Sequence, residues 1–281
     1  MNPIFFHIGS RPIHWYGVMM AAAFLSCMYI WSWLAEKDER PRDTGSTIAF
    51  WIMLTGILGA RVGFILSEPG QFAENPLSML YIWEGGLIFY GGLIGAALAI
   101  TVVAKAGKHK LTSYYDLAIA AVPFGHALGR IGCFLNGCCW GSVTDAACAV
   151  SYPLGSAPHH AHSQVPGLLA EGATGSAPVH PVQLYEAGLS LLLFAILVYL
   201  FPRRKKDGTI LAIYAMGYGV IRFIMEFFRG DIRNSVLPDG SSFLGLEHLD
   251  VAQFISICIF AFGLILWIFF RSPREPLTPN A

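Results

Sequence analysis

Three arginines interrupt stretches of sequence that are otherwise apolar enough to cross a lipid bilayer: Arg61, Arg130 and Arg222. An arginine at mid-bilayer costs roughly 2.5–3.5 kcal/mol on insertion scales, so it is expected to face a bundle interior and to pair with an acid, a backbone carbonyl or a ligand. A structural ion pair is one explanation for each of them, and Arg222 and Glu226, spaced i,i+4, can pair on one helix face. The acids available as partners are Asp116, Glu186 and Glu226.

Taken together, the basic residues favour an anionic ligand over a set of separate ion pairs. Arg130, Arg222 and Arg229 fall near the same end of the predicted spans, and together they exceed the nearby acids needed to neutralise them. A guanidinium group grips phosphate through two parallel hydrogen bonds. The sequence therefore predicts a site for an anionic lipid head group. Arg61 has no comparable support, and we expect it to have a structural or snorkelling role.

The composition requires a membrane around these arginines. Of the 281 residues, 55% are hydrophobic and 13% are charged, whereas a soluble domain carries about 25% charged residues. That is more apolar surface than one soluble core can hide, so the solvent must be lipid. The first ten residues lack the pattern of a cleavable signal peptide, so the first apolar run is expected to remain as an anchor. The zero formal charge gives no argument for a nucleic-acid partner, and none is expected.

Seven windows of the sequence have the length of a membrane-spanning helix. Those without any charge are 15–34, 85–104 and 251–270. Those interrupted by charged residues are 46–66, 111–130, 182–201 and 208–228. The prediction is an all-α polytopic protein, with residues 1–281 forming a single integral-membrane domain.

The basic residues in the loops predict the orientation of the chain. The loops that follow the first, third, fifth and seventh spans hold twelve of the 18 Lys and Arg, which predicts that these loops are cytoplasmic. The opposite loops hold only Arg11, Arg229 and Arg233. The N-terminus is therefore expected outside and the C-terminus inside. The long outer loop, about 136–181, is rich in Gly, Ala, Ser, Pro and His and is expected to form a small cap or to stay mobile.

Glycines and a histidine surround Arg130. Four glycines lie within residues 129–141, which predicts a helix that breaks near the membrane surface so that backbone N–H groups point at a ligand. Close helix packing is the alternative, and it is the preferred explanation for Gly59 with Gly63 and for Gly91 with Gly95. His126 lies four residues before Arg130 on the same helix face, where a neighbouring cation favours the neutral ring that accepts a proton. A hydrogen-bonded structural role is equally open for it.

The cysteines give no spacing typical of a metal site. Cys133, Cys138 and Cys139 lack a C-x2-C pair, and the histidines of the outer loop lack H-x3-H spacing, so zinc is disfavoured and neither a metal nor a cofactor is expected. A disulfide involving Cys148 is preferred to a metal.

Five motifs, in order along nearly the whole chain, resemble those of the bacterial phosphatidylglycerol–prolipoprotein diacylglyceryl transferase family. They are His14-Trp15-Tyr16-Gly17, Gly91-Gly92-Leu93-Ile94-Gly95, Gly129-Arg130-Ile131-Gly132 with Asn136-Gly137 and Trp140-Gly141, His180-Pro181-Val182-Gln183-Leu184-Tyr185-Glu186, and Tyr218-Gly219-Val220-Ile221-Arg222 with Glu226-Phe227-Phe228-Arg229. The resemblance implies a multi-pass protein of the bacterial inner membrane with its active site towards the extracytoplasmic side. It implies transfer of the diacylglyceryl group of phosphatidylglycerol to the lipobox cysteine of a prolipoprotein, forming a thioether and releasing glycerol 1-phosphate.

The resemblance also implies roles for individual residues. Arg130 and Arg222 are the phosphate-side arginines. The residues that shape the same site are Tyr16, Asn136, Gly141, Tyr218, Glu226 and Arg229. Asp116 falls at a position that the family fills with Asp.

Two departures from the family pattern affect proton transfer. Many members have His where this chain has Tyr90, and Asn where it has Cys133. Our hypothesis is that His126 or Tyr90 handles the thiol proton, with His126 preferred because a phenol of pKa about 10 is a poor base near neutrality. A clamp that drives the reaction without a base is the other alternative.

Two other functions remain open at this point. A transporter or flippase for an anionic lipid can also bury arginines beside broken helices, but an internal repeat is expected there and none is found. A related lipid-head-group transferase is the second alternative.

Overall fold

The structure, a computed structural model, describes residues 3–9, 11–72, 75–82, 85–170, 172–230 and 250–271. Within these ranges, seven helices are long and apolar enough to cross a membrane, which confirms the predicted all-α polytopic fold. They contain 18 to 26 residues and so measure about 27 to 39 Å at 1.5 Å per residue, against a hydrocarbon core of about 30 Å. Arg233, which contributed to the predicted orientation, lies outside the described residues.

The described ranges contain seven long helices, one short helix and one β-hairpin. The long helices are α1 (Trp15–Lys37), α2 (Asp43–Ser67), α3 (Phe89–Ala106), α4 (Leu111–Asn136), α6 (Val182–Leu200), α7 (Thr209–Glu226) and α8 (Val251–Arg271), and a short helix, α5 (Ala157–Ser163), lies within the segment between α4 and α6, which is here called the cap. A hairpin of β1 (Ile4–Ile8) and β2 (Arg11–His14), paired antiparallel, precedes α1. The chain divides into two compact units, residues 26–121 and residues 1–25 with 122–281.

In the unit formed by residues 26–121, α2 and α3 approach closely through glycines. A Cβ on Gly59 would overlap the carbonyl oxygen of Gly91, and one on Gly95 would overlap that of Thr55. These contacts confirm helix packing as the role of the two glycine pairs. The third helix begins at Phe89 and not near residue 85, because Gly85 and Gly86 have φ values of 89° and 69°, which a right-handed helix excludes.

Arg61 lies in this same unit and is buried. Its guanidinium group donates to the carbonyl oxygens of Met79 and Gly85, each at 2.8 Å, and also to those of Ser78 and Gly86. The arginine therefore fixes the segment between α2 and α3 by donating hydrogen bonds to four of its backbone carbonyls. This confirms the structural alternative for Arg61.

In the other unit, α4 runs without a break through Gly129 and Gly132 and ends at Asn136, before the left-handed Gly137, so the helix ends within the glycine-rich stretch but later than its first two glycines. Gly132 instead allows α1 to approach, since a Cβ there would lie 3.1 Å from Cβ of Met19. Packing against α1 compensates for the weak helix propensity of glycine.

The cap between α4 and α6 is ordered by backbone bridges. Val179 pairs with both Val143 and Val150, and Pro153 pairs with Gly175. Tyr152 fills its interior with 1% of its surface exposed. Of the two alternatives expected for the outer loop, the segment forms a small folded cap.

Candidate active site

The site lies where four helix ends of the unit formed by residues 1–25 and 122–281 meet. The C-terminal end of α4 leads to Gly141, whose N–H donates to the carbonyl of His180, just before α6, at 3.0 Å. The next N–H, that of Ser142, donates to the carbonyl of Phe228, just after α7, at 2.8 Å. The N-terminal end of α1 packs on Gly132 through Tyr16. Four of the five motifs, all except Gly91–Gly95, therefore share one end of this unit.

Glu186 is the centre of the charged group. Its carboxylate contacts Nε2 of His126 at 2.8 Å, and its two oxygens lie 3.0 and 2.9 Å from one terminal nitrogen of Arg130. Only 1% of its side chain is exposed. A buried carboxylate is tolerated when it is paired and hydrogen-bonded, and here α6 supplies the acid while α4 supplies both partners.

Arg130 retains hydrogen-bonding capacity after pairing with Glu186. Only Nη2 contacts the carboxylate, and the buried Nε has no hydrogen-bond partner among the described residues. Buried polar groups are nearly always satisfied by protein, water or ligand. Arg130 is therefore held in place by one nitrogen while others can bind an anion.

Arg222 forms the i,i+4 ion pair with Glu226 at 2.5 Å, as the sequence spacing allowed. Its charge also acts on Glu186. With Arg229, this end of the unit holds three guanidinium groups against the two carboxylates Glu186 and Glu226, which leaves this set of five groups with a net charge of one positive unit.

The aromatic residue Tyr218 joins the charged group to α7. Its ring lies edge-to-face with that of His126, with centroids 5.7 Å apart, and stacks in parallel on Tyr214 at the same distance. These contacts hold the His126 ring in place and bring a predicted site residue of α7 against one of α4. Tyr16 is 41% exposed at the start of α1.

The remaining predicted site residues, Asn136 and Gly141, differ in burial. Asn136 is exposed as the last residue of α4. Gly141 is buried and pairs by a backbone bridge with Arg229, so it shapes this region by letting two chain segments approach. A Cβ at Gly141 would lie 2.5 Å from the carbonyl oxygen of His180.

Tyr90 and Asp116 belong to the unit formed by residues 26–121. Tyr90 is the second residue of α3, is 63% exposed, and has its ring edge-to-face with that of Phe89. Asp116 is fully buried in α4. The catalytic role of Tyr90 stays a prediction.

A tight turn at the end of α4 brings three cysteines together. The N–H of Cys138 donates to the carbonyl of Cys133 and that of Gly137 to Phe134, with Gly137 in the left-handed region at φ 73°, which is a Schellman motif. Cys139 also has a positive φ of 57°. The sulfur atoms of Cys133, Cys138 and Cys139 consequently lie within 4.8 Å of one another.

The structure shows the environment of Cys139 and the pairing state of all six cysteines. Hydrogen bonds from Cys133 and Cys138, together with the charges of Arg130 and Arg229, hold the pKa of Cys139 below its usual range. All six cysteines lie in the described ranges and are free, so the predicted disulfide involving Cys148 is wrong. The Cys148 thiol instead contacts the hydroxyl of Tyr185 at 2.9 Å.

A family model described as prolipoprotein diacylglyceryl transferase matches residues 3–269. The chain belongs to the prolipoprotein diacylglyceryl transferase family. It is similar to the phosphatidylglycerol–prolipoprotein diacylglyceryl transferase of Photobacterium profundum, with 32% identity covering 98% of this chain and 96% of the relative. The enzyme of the same name from Xanthomonas oryzae pv. oryzae is 35% identical over all of this chain and 95% of the relative. That of Pasteurella multocida is 34% identical over 95% and 91%.

The sequence analysis did not identify two residues that the structure places in the site of this family member. Glu186 was considered as an ion-pair partner but not as a site residue, although it is the charged residue that interrupts the fifth predicted span. Gln183 is 1% exposed and donates to the carbonyl of Cys138 at 2.7 Å and to the hydroxyl of Tyr152 at 3.1 Å. A charged or amide residue in the first turns of an apolar helix is the signal that identifies both.

Proposed function

We propose that this protein transfers the diacylglyceryl group of phosphatidylglycerol to the thiol of the lipobox cysteine of a prolipoprotein. The product is a thioether, and glycerol 1-phosphate leaves. Family membership supports the reaction class and both substrates. The observation that carries the mechanism is Arg130, which Glu186 holds in place while its buried Nε has no hydrogen-bond partner in the part of the chain that the structure describes.

The arginines act on the charge that develops during the reaction. The thiol sulfur forms a bond to the glycerol carbon that bears the phosphate ester, and the C–O bond breaks with its electron pair going to the phosphate oxygen. The phosphate therefore changes from a diester with one negative charge to a monoester with two. Arg130 and Arg222 stabilise the additional charge, and such preorganised donors contribute most in a site that excludes water.

His126 accepts the thiol proton in this proposal. If Nε2 of His126 donates to Glu186, Nδ1 carries the lone pair and can take a proton. Glu186 then stabilises the imidazolium ion that forms, as a carboxylate does beside a catalytic histidine. A free thiol has a pKa of roughly 8.5 and is mostly protonated near neutrality, so the base raises the amount of the nucleophile. Tyr90 is the alternative base, and it is disfavoured because a phenol of pKa about 10 is a poor base near neutrality.

The site faces the extracytoplasmic side of the bacterial inner membrane in this proposal. The loops joined to this end of α1, α4, α6 and α7 hold few Lys and Arg, whereas the loops at the other ends hold most of them. The N-terminus is then outside and the C-terminus inside. Tyr16, Asn136, Tyr218, Glu226 and Arg229 complete the substrate site together with Gly141.

The test uses the purified full-length protein in detergent with phosphatidylglycerol and a lipobox peptide. We expect the peptide to gain the mass of one diacylglyceryl group and glycerol phosphate to appear in equal amount. A peptide with Ser in place of Cys should gain no mass. Lipid binding without any transfer to the Cys peptide would contradict the proposal and favour a lipid transporter; transfer to an acceptor other than the thiol would favour a different head-group transferase.

A further inference from the structure

Three thiols converge beside the phosphate-binding arginines, and the backbone holds them there. Gly137 and Cys139 both adopt left-handed conformations, which reverse the chain directly after α4 and return it towards Cys133. Gln183 fixes the carbonyl of Cys138 from α6. A non-glycine residue in the left-handed region is strained and persists where the surrounding structure requires it, often at ligand sites.

The geometry of the three sulfurs suits a tetrahedral metal ion. Zinc binds thiolate at about 2.3 Å, so three sulfurs of one tetrahedral site lie roughly 3.8 Å apart. Here the three atoms lie within 4.8 Å of one another, and small side-chain rotations close the difference. All three cysteines are half-buried, so the cluster is not closed off from its surroundings. Three protein ligands with an open fourth position are the arrangement of a catalytic zinc site, whereas a structural site is closed.

The cluster lies next to the groups that bind phosphate. Cys133 follows Arg130 by three residues on α4, which places it about 4.5 Å further along the helix axis, one turn away. The charges of Arg130 and Arg229 reach Cys139. A nucleophile held by the cysteines would therefore stand close to a lipid phosphate held by the arginines.

We infer that Cys133, Cys138 and Cys139 bind a zinc ion whose fourth ligand is the thiolate of the incoming prolipoprotein cysteine. This inference rests on the proposed function and specifies how its nucleophile is activated. On coordination the thiol gives its proton to water, because a metal-bound thiol is deprotonated. The sulfur then forms its bond to the glycerol carbon while the C–O bond breaks towards the phosphate. Zinc keeps its oxidation state, and the neutral thioether leaves as a poor ligand. His126 is then the base only in the metal-free protein.

The first experiment measures the metal itself. Full-length protein purified in detergent under reducing conditions, loaded with zinc and freed of excess, should hold one zinc ion per chain by mass spectrometry of the metal. The variants Cys133→Ser, Cys138→Ser and Cys139→Ser should each lose most of it. Cys148→Ser is the matched control, because Cys148 is exposed, contacts Tyr185 and should leave the zinc content unchanged.

The second experiment tests the fourth ligand without any turnover. Cobalt(II) replaces zinc, and its visible spectrum reports tetrahedral thiolate coordination. With no phosphatidylglycerol present, a lipobox peptide with Cys should increase the sulfur-to-cobalt charge-transfer absorption, whereas the Ser peptide should not. An unchanged spectrum with both peptides would overturn the assignment of the fourth ligand.

The third experiment measures the consequence for the reaction. Removing zinc with a chelator should lower the transfer rate at neutral pH by about tenfold or more, and the loss should shrink above pH about 8.5, where the free thiol ionises. Zinc, added back, should restore the rate. Reduced protein that binds no zinc, or protein with two of the three cysteines joined in a disulfide and full activity, would overturn the inference. Full transfer without metal overturns the inference and leaves the proposed function intact, whereas metal binding without any transfer contradicts the proposed function and leaves only the three-cysteine metal site.

Discussion

The ion pair between Arg130 and Glu186 allows the structural and the catalytic roles of Arg130 to be separated. Replacing Arg130 by Gln removes a phosphate ligand, and loss of one such preorganised donor costs about 10²–10³ in rate. The same change leaves Glu186 with His126 as its remaining hydrogen-bond partner among the described residues, so some stability is lost as well. Replacing Glu186 by Gln leaves the guanidinium buried beside a neutral amide, which costs roughly 3–5 kcal/mol when the pair is fully buried.

The double variant Arg130→Gln with Glu186→Gln removes both charges and is the decisive comparison. Because neither charge is left unpaired, the double variant should lose less stability than the sum of the two single losses, by about 0.5–3 kcal/mol. Its transfer rate should nevertheless remain as low as that of Arg130→Gln, since the phosphate ligand is still missing. Thermal unfolding in detergent measures the first quantity, and mass gain of the lipobox peptide measures the second.

Arg203→Gln is the matched control for these variants. Arg203 follows α6 at the other end of that helix, where it is exposed and donates to the carbonyl of Tyr199. Its replacement should change neither stability nor rate. Recovery of activity in the double variant would refute the reasoning, because it would show that Arg130 serves only to neutralise Glu186.

Four further changes test other parts of the site and the fold. His126→Ala should lower the transfer rate of zinc-free protein by about 10²–10⁴ near neutral pH, as loss of a general base does, measured by peptide mass gain. Gly141→Ala should lower both the melting temperature and the rate, because the added Cβ would lie 2.5 Å from the carbonyl oxygen of His180. Arg61→Gln should destabilise the protein by about 2–5 kcal/mol through orphaned carbonyls, while the activity of the folded fraction is retained. Burial lowers the pKa of His162, so stability of the cap should be complete above pH about 6.5 and fall as the unfolded state takes up protons below it, which hydrogen exchange of the cap can follow.

Each of these expectations has an outcome that contradicts it. Full activity of His126→Ala in zinc-free protein would exclude this ring as the base. An unchanged melting temperature of Gly141→Ala would show that the two segments can separate at no cost. A catalytic loss in Arg61→Gln that exceeds its loss of folded protein would place Arg61 in the chemistry. His162→Gln should remove the acid sensitivity of the cap, and a variant with unchanged sensitivity would assign it to another group.

The fold was predictable because its signals are local. A run of apolar residues of sufficient length must be helical in lipid, since only a helix satisfies its own backbone hydrogen bonds there. The seven spans follow from this rule, and their predicted ends lie within about four residues of the helix ends, except that α4 continues to Asn136 beyond the predicted 130. The errors lie at glycines: Gly85 and Gly86 delay α3, whereas Gly129 and Gly132 do not interrupt α4. Identical residues had opposite effects because tertiary packing, which α1 provides for Gly132, is invisible in the sequence.

The sequence by itself determined that this chain is a membrane protein of seven helices and that its arginines need partners, because hydrophobicity, length and charge belong to each segment alone. The tertiary structure decided which partners they have. Arg130 meets Glu186 across 56 residues of sequence, and His126 meets it across 60. The three thiols converge through a left-handed turn that follows no helical spacing. Such contacts depend on how helices pack and where they end, and no periodicity of the sequence records either.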